Sequence, residues 1–437
     1  MQLVSGFFSL VCLCGLGLAA TDNSTNSTAS APSMVQLSTD PDFHFELLRQ
    51  LSVASYGGAD IGEVLTAAAK IVPGDFESFY CEFDILANRV LQQGQAIDAG
   101  EFPVSVRDTM FRAASYFQSA DFYLHGNQSD PRIISLWETM QGIFNISLSL
   151  LPVPGRRVNV QADGFYVPCI FYKASPDDKP RPTLIIGGGY DKGQEELYHF
   201  MVKATLQRGW NAITYEGPGQ ASPRRYQNLT FIPQWEKVVT PVVDYLETLP
   251  EVDKSALALV GISFGGLLAP RAAAFEHRLV ATVCLDGIYD FFTAFMAAYP
   301  AGLTSLFKSG NATAFDAAIN AARNAPGAST AFRWVIDQGL WAWKTTSPFY
   351  LISQFQAYTL VDVIDQIPGP VFVGDAQDDI FLKGAGAVLA SHLGDRAHYY
   401  LFKTAYGDGE HSGIGSFVFQ NQVVLDWLKP ILEKSGR

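Results

Sequence analysis

Two rhythms of apolar and polar positions divide the chain. From Phe43 to about Leu151, apolar residues recur at three- and four-residue steps, as in Ile85–Leu91 and Val106–Phe117. That is the spacing of helices that bury one face. Gly and Pro interrupt the pattern at Gly57–Gly58, Pro73–Gly74, Gly100 and Pro103, so it predicts an all-helical module over 40–151. After Pro152 short apolar runs take over. Gly164–Lys173, Thr183–Ile186, Asn211–Tyr215, Ala256–Val260, Val280–Leu285, Val371–Val373 and Tyr399–Phe402 read as strands. Helical stretches lie between them, at 195–208, 235–248, after residue 264, at 385–392 and at 417–432. This alternation predicts an α/β domain over 152–437 built on a doubly wound, mainly parallel sheet. The stretch 287–366 is too long for a loop and is helix-forming and aromatic, with Trp334, Trp341, Trp343, Phe349 and Tyr350. It predicts a helical cap inserted after the strand Val280–Leu285.

Composition narrows the class. The chain has 437 residues, 48% of them hydrophobic and 17% charged, which suits a globular protein. The net charge of -13 argues against nucleic acid and anionic membranes as partners. Residues 1–20 are uncharged and mostly apolar, and read as a signal peptide cleaved near Ala19 or Ala20. No Lys or Arg precedes the apolar run, so a signal anchor is the alternative. With the leader removed, no membrane span is expected. A Ser/Thr/Asn-rich linker follows over 21–39. Six glycosylation sequons, at Asn23, Asn26, Asn127, Asn145, Asn228 and Asn311, fit a secreted or secretory-pathway protein. Three cysteines remain beyond the leader, Cys81, Cys169 and Cys284, which allows at most one internal bridge.

The chemistry centres on Gly261-Ile-Ser263-Phe-Gly265. Gly-x-Ser-x-Gly between a buried strand and a helix is the sharp turn that lifts a nucleophilic serine above a sheet. Pro270 is out of place in the helix that follows, because it removes a helical donor. A serine nucleophile needs a base and a carboxylate to hold that base, and on such a sheet the chain order is Ser, acid, His. His411 follows the last strand and precedes the final helix, in a glycine-rich loop expected to be mobile. Asp379 is the favoured acid, with Asp378 as the alternative and Asp375 a weaker third. Backbone N–H groups must meet the developing oxyanion. Phe264 is expected to supply one and Tyr190, after the Gly187-Gly188-Gly189 run, the other. No Cys/His cluster has metal spacing, and neither a metal nor a cofactor is expected.

Taken together, Gly188-Gly189-Tyr190 with Glu195-Glu196, Tyr215-Glu-Gly-Pro-Gly-Gln220, Gly261–Gly266, Asp379–Gly384 and Gly409-Glu-His411 resemble the α/β-hydrolases related to 2,6-dihydropseudooxynicotine hydrolase. That group includes fungal hydrolases of polyketide and hybrid polyketide–peptide pathways. The helical module is also similar, notably Arg107–Phe117 with Ala120, so the resemblance covers most of 40–435. It implies an α/β-hydrolase fold, a Ser263–Asp379–His411 triad, no metal, and a pocket between sheet and caps. It also implies a small-molecule substrate cleaved at a C–C, ester, lactone or amide bond. The leader and the Ala221 after Gly-Pro-Gly-Gln depart from the group's pattern.

The reading that results is a serine hydrolase acting on a mostly apolar, carbonyl-bearing small molecule of a secondary-metabolite pathway. Two alternatives stand beside it. A prolyl-peptidase-like enzyme would use the same serine motif, but usually carries a β-propeller where 40–151 reads as helix. A non-catalytic binding protein on the same fold would typically lose the serine or histidine, and both are present.

Overall fold

The computed structural model describes residues 34–435. The leader over 1–20 and the sequons at Asn23 and Asn26 lie outside the described residues, as does most of the linker.

Five helices open the described chain: Pro41–Ala54, Ile61–Ala68, Phe76–Gln95, Pro103–Asp121 and Arg132–Ser149. Their starts are set locally. Asp75 caps the third by accepting from the N–H groups of Glu77 and Ser78. Phe79, Phe83, Leu86, Ala87 and Val90 then form its buried stripe at helical spacing. Asp40 caps the first helix, and its Oδ1 also takes the Thr330 hydroxyl at 2.6 Å, which ties the module to the inserted cap.

The sheet has eight strands: β1 Arg156–Gln161, β2 Tyr166–Tyr172, β3 Arg181–Gly187, β4 Asn211–Tyr215, β5 Val252–Ile262, β6 Leu279–Leu285, β7 Val371–Ala376 and β8 Ala397–Phe402. Their order is β1-β2-β4-β3-β5-β6-β7-β8. β1 and β2 pair antiparallel, β2 is antiparallel to β4, and every pairing from β4 to β8 is parallel. This is the α/β-hydrolase fold. β1 is an addition to the strands expected from sequence; its polar residues Arg156, Arg157, Asn159 and Gln161 mask it. The central strands are apolar on both faces because helices cover both, and all five residues of β4 are buried.

Helices Phe291–Ala297, Ala301–Lys308, Ala312–Arg323, Thr330–Ala342 and Pro348–Phe355 fill the insertion between β6 and β7. The stretch read as one helix at 195–208 is interrupted. It runs as Gln194–Leu197, a π turn over Tyr198–Val202, and Lys203–Gln207. Cys81, Cys169 and Cys284 are all free thiols. Among the described residues, no helix is long and apolar enough to cross a membrane.

Register decides where the site sits. Gly187 pairs with Gly261, Ile262 with Leu285, Leu285 with Gly374, and Ala376 with Phe402. The carboxyl ends of β3, β5, β6, β7 and β8 therefore finish along one edge, where side chains on the following loops can converge.

Candidate active site

Ser263 occupies the first position after β5 with φ of 60°, the left-handed region that a side chain rarely adopts. The turn closes because its neighbours are small. A Cβ on Gly261 would run into the Gly265 carbonyl, and one on Gly266 into the Asp286 carbonyl. Pro270 does not end the helix Gly265–Ala273. The Gly266 carbonyl that it leaves without a helical donor accepts the Ile288 N–H at 3.4 Å instead.

The Ser263 Oγ lies 2.8 Å from His411 Nε2, and His411 Nδ1 lies 2.7 Å from Asp379 Oδ2. Three residues far apart in sequence thus form one hydrogen-bonded chain. Asp379 is fixed by more than the imidazole, since its Oδ1 accepts from the N–H groups of Phe381 and Leu382 at 2.7 and 2.8 Å. Burial opposes its charge, but His411 and these hydrogen bonds prevail and hold its carboxyl below the usual carboxylate range. His411 is buried at the site. The rings of Phe381 and Phe45 lie against it at centroid distances of 5.1 and 6.3 Å.

The other acids go elsewhere. Asp378 accepts the Thr404 hydroxyl and lies 3.8 Å from Lys383. Asp375, on β7, takes the Tyr399 hydroxyl at 3.0 Å and the Ala387 N–H at 3.1 Å. Asp286, which sequence reasoning passed over, does reach the site. It is the first residue after β6, with φ of 64°. Its Oδ2 lies 3.5 Å from His411 Nδ1, and its two oxygens hold the Ser412 N–H and hydroxyl at 3.0 and 2.6 Å. The signal available was its place at the carboxyl end of a central strand.

The loop after β3 runs beside the serine. A Cβ on Gly189 would meet the Phe264 nitrogen at 2.6 Å and the Ser263 Cβ at 2.9 Å. Among the described residues, neither the Phe264 N–H nor the Tyr190 N–H has a backbone acceptor. Gln220, from the Glu-Gly-Pro-Gly-Gln stretch, holds this loop. Its Nε2 donates to the Gly188 and Gly189 carbonyls at 3.0 and 2.9 Å, and its Oε1 accepts the Gly217 N–H at 2.8 Å. In a trans peptide the N–H points opposite the carbonyl. With the Gly189 carbonyl turned to Gln220, the Tyr190 N–H is turned away from Gln220. The cap fixes Tyr190 from its other side: its hydroxyl donates to the Val335 carbonyl at 2.9 Å, and its own carbonyl accepts from Gln338 at 3.1 Å.

Above these groups is a cavity of about 590 Å³, lined by both helical layers. Phe291, Phe295, Phe332, Trp334 and Phe381 supply an apolar wall. Glu46, Arg49, Asp191 and Lys192 line it as well, a charged patch within an otherwise mostly apolar lining. Asp286, Asp379 and His411 place donor atoms within 4.8 Å of one another, close enough to hold a metal ion. The same atoms are engaged with each other and with Ser412, an arrangement that suits proton transfer as it stands. Asn127, Asn145, Asn228 and Asn311 are all exposed, away from this buried centre.

A mainly parallel sheet with serine, acid and histidine on the loops after β5, β7 and β8 at its carboxyl edge defines a class. The chain belongs to the Alpha/beta hydrolase family, which residues 187–413 match. It is 30% identical over 413 residues to Hydrolase acrC of Aspergillus aculeatus, covering 88% of this chain and 95% of that one. It is 27% identical over 402 residues to 20-hydroxy-prefusarin hydrolase FUS2 of Gibberella moniliformis, covering 88% and 95%. The crystal structure of 2,6-dihydroxy-pseudo-oxynicotine hydrolase shares its fold, with a TM-score of 0.67 at 20% identity over 87% of this chain and 95% of that one.

Proposed function

We propose that this hydrolase is a serine enzyme that cleaves a carbonyl-bearing small molecule of a fungal secondary-metabolite pathway, of the polyketide kind. The observation that carries the reading is the unbroken chain Ser263–His411–Asp379, at 2.8 and 2.7 Å, on the wall of a deep cavity. Ser263 Oγ attacks the substrate carbonyl carbon while His411 Nε2 takes the hydroxyl proton. Asp379 holds the imidazole by Nδ1 and stabilises the imidazolium. The N–H groups of Phe264 and Tyr190 meet the oxyanion. On collapse the leaving group takes the proton back from His411, and an acyl group stays on Ser263. Water, deprotonated by the same imidazole, releases the acid and restores the serine. A C–C bond can break by the same route when a neighbouring ketone stabilises the departing carbanion as its enolate.

The substrate class draws support from the cavity, whose cover of helices suits an elongated small molecule better than a folded protein chain. The related FUS2 is named as a 20-hydroxy-prefusarin hydrolase. A fluorophosphonate probe should label the wild type and not Ser263→Ala, and medium-chain aryl esters should be cleaved while casein is not. Equal labelling of both proteins would remove Ser263 as nucleophile. Casein digestion lost in Ser263→Ala would make the enzyme a peptidase.

The proposal includes passage through the secretory pathway, supported by the exposure of Asn127, Asn145, Asn228 and Asn311. Protein from a eukaryotic secretory host should lose several glycans' mass on glycosidase treatment and begin near Ala20 or Thr21. An intact Met1 with no mass shift would overturn this route.

A further inference from the structure

The cavity holds a second ionisable cluster that the proposed chemistry does not use. Arg49 gives Nε and Nη2 to the two oxygens of Glu196, at 2.8 and 2.5 Å, and Nη1 to Asp191 at 2.8 Å. Lys192 adds a bond to Glu196 at 3.0 Å. Two cations thus balance two carboxylates within the cluster. Glu46 is left over. Its oxygens reach only Arg49 Nη1, at 3.4 and 3.5 Å, the outer limit of hydrogen bonding and on a nitrogen already given to Asp191. Yet Glu46 is 5% exposed and lines the cavity that contains Ser263.

A carboxyl so placed has spare hydrogen-bonding capacity facing the cavity. Burial pushes its pKa up to about 8; Arg49 opposes the rise, and Asp191, Asp42 and Glu196 add to it. At neutral pH it carries a proton, so it offers one O–H donor and one carbonyl acceptor. A hydrocarbon chain lying against it would leave both unmet, whereas an oxygen on the substrate would meet them. The aromatic wall accepts the apolar remainder of the same molecule.

We propose that Glu46 is a specificity-determining residue, forming an oxygen-binding subsite that selects substrates with a keto or hydroxyl group at a distance from the scissile carbonyl over plain acyl chains. The inference deepens the reading of Ser263 as nucleophile and rests on it. It narrows the substrate from a carbonyl compound to a polyoxygenated chain.

The test compares p-nitrophenyl heptanoate with its 4-, 5- and 6-oxo analogues, which differ only in the extra ketone. The wild type should favour one oxo ester over the plain ester at least tenfold in kcat/KM. Glu46→Leu should reduce that ratio at least tenfold, while Glu46→Gln, which keeps a donor and an acceptor, should retain most of it. The matched heptanamides, titrated into Ser263→Ala protein by tryptophan fluorescence, read the subsite without turnover. There the preference should persist, and vanish when Glu46→Leu is added. A wild type without preference in both assays, or a ratio unchanged in Glu46→Leu, overturns the subsite. Ester cleavage that survives in Ser263→Ala overturns the nucleophile reading instead, so the two failures are told apart.

Discussion

Asp286 shares a nitrogen of His411 with Asp379: its Oδ2 lies 3.5 Å from Nδ1, where Asp379 stands at 2.7 Å. Burial disfavours the imidazolium, but the two carboxylates outweigh it, against a smaller opposing effect of Lys192, and raise the His411 pKa from the usual 6.5 to about 9. Ser263 and the uncharged rings of Phe45 and Phe381 also lie against the imidazole, and the adjoining Glu410 is a further acid in electrostatic contact with it. A general base must be neutral to accept a proton. Activity should therefore climb as pH rises through a midpoint well above 6.5. Asp286→Asn, which keeps the shape and removes one anion, should move that midpoint to lower pH. The pH profile of kcat/KM with an aryl ester reads both. A midpoint unmoved by Asp286→Asn would mean that Asp286 carries no charge at working pH.

The two adjacent aspartates should differ sharply. Asp379→Asn leaves the imidazole held in the wrong tautomer and should lower kcat by about 10⁴-fold. Asp378 is spent on Thr404 and, more distantly, Lys383, so Asp378→Asn should cost less than about tenfold. Single-substrate kinetics on the two variants settles the order, and the reverse ranking would transfer the acid's role to Asp378.

What could be read from the sequence was whatever depends on the sheet. Ser263, Asp379 and His411 each follow a strand, and chain order along a parallel sheet fixes which loops meet. Asp286 lies at the same edge, but one aspartate after a strand has no spacing partner to single it out. Gln220 works on two backbone carbonyls, so no side-chain pattern reveals it. Glu46 and Arg49 gain meaning only when the first helix packs on the loop after β3, bringing Arg49 to Glu196 across 147 positions. The edge strand β1 escaped because its polar residues break the apolar run, and the π turn over Tyr198–Val202 leaves no mark in the spacing of apolar residues.

Gln220 gives a prediction about positioning rather than contact. It is 1% exposed and spends its whole amide on the loop that carries Tyr190 and on Gly217. Gln220→Leu keeps the bulk and frees the Gly188 and Gly189 carbonyls. If that loop supplies an oxyanion donor, kcat should fall by about 10²-fold with KM changed far less, since the donor acts most strongly in the transition state. A variant that loses KM and keeps kcat would show the loop shaping the cavity alone.

Asp408 makes stability depend on pH. It is fully buried in the loop that leads to His411, and neither of its carboxylate oxygens has a hydrogen-bond partner. Burial first, and the neighbouring charge of Asp286 second, raise its pKa from 3.8 to about 8. Between those values the folded protein keeps the proton and the unfolded chain releases it. Unfolding then becomes easier as pH rises, and this group's destabilisation grows from about pH 4 until it levels off above about 8. Asp408→Asn removes the ionisation and keeps the shape. Its buried amide is no better partnered, so the absolute melting temperature is the wrong readout; the pH dependence is the right one. The Tm of Asp408→Asn relative to wild type should rise by several degrees from pH 5 to pH 8 and stay level beyond. Calorimetric scans at one-unit steps of pH measure it, and a constant difference across that range would show that Asp408 is ionised, and partnered, in the folded enzyme.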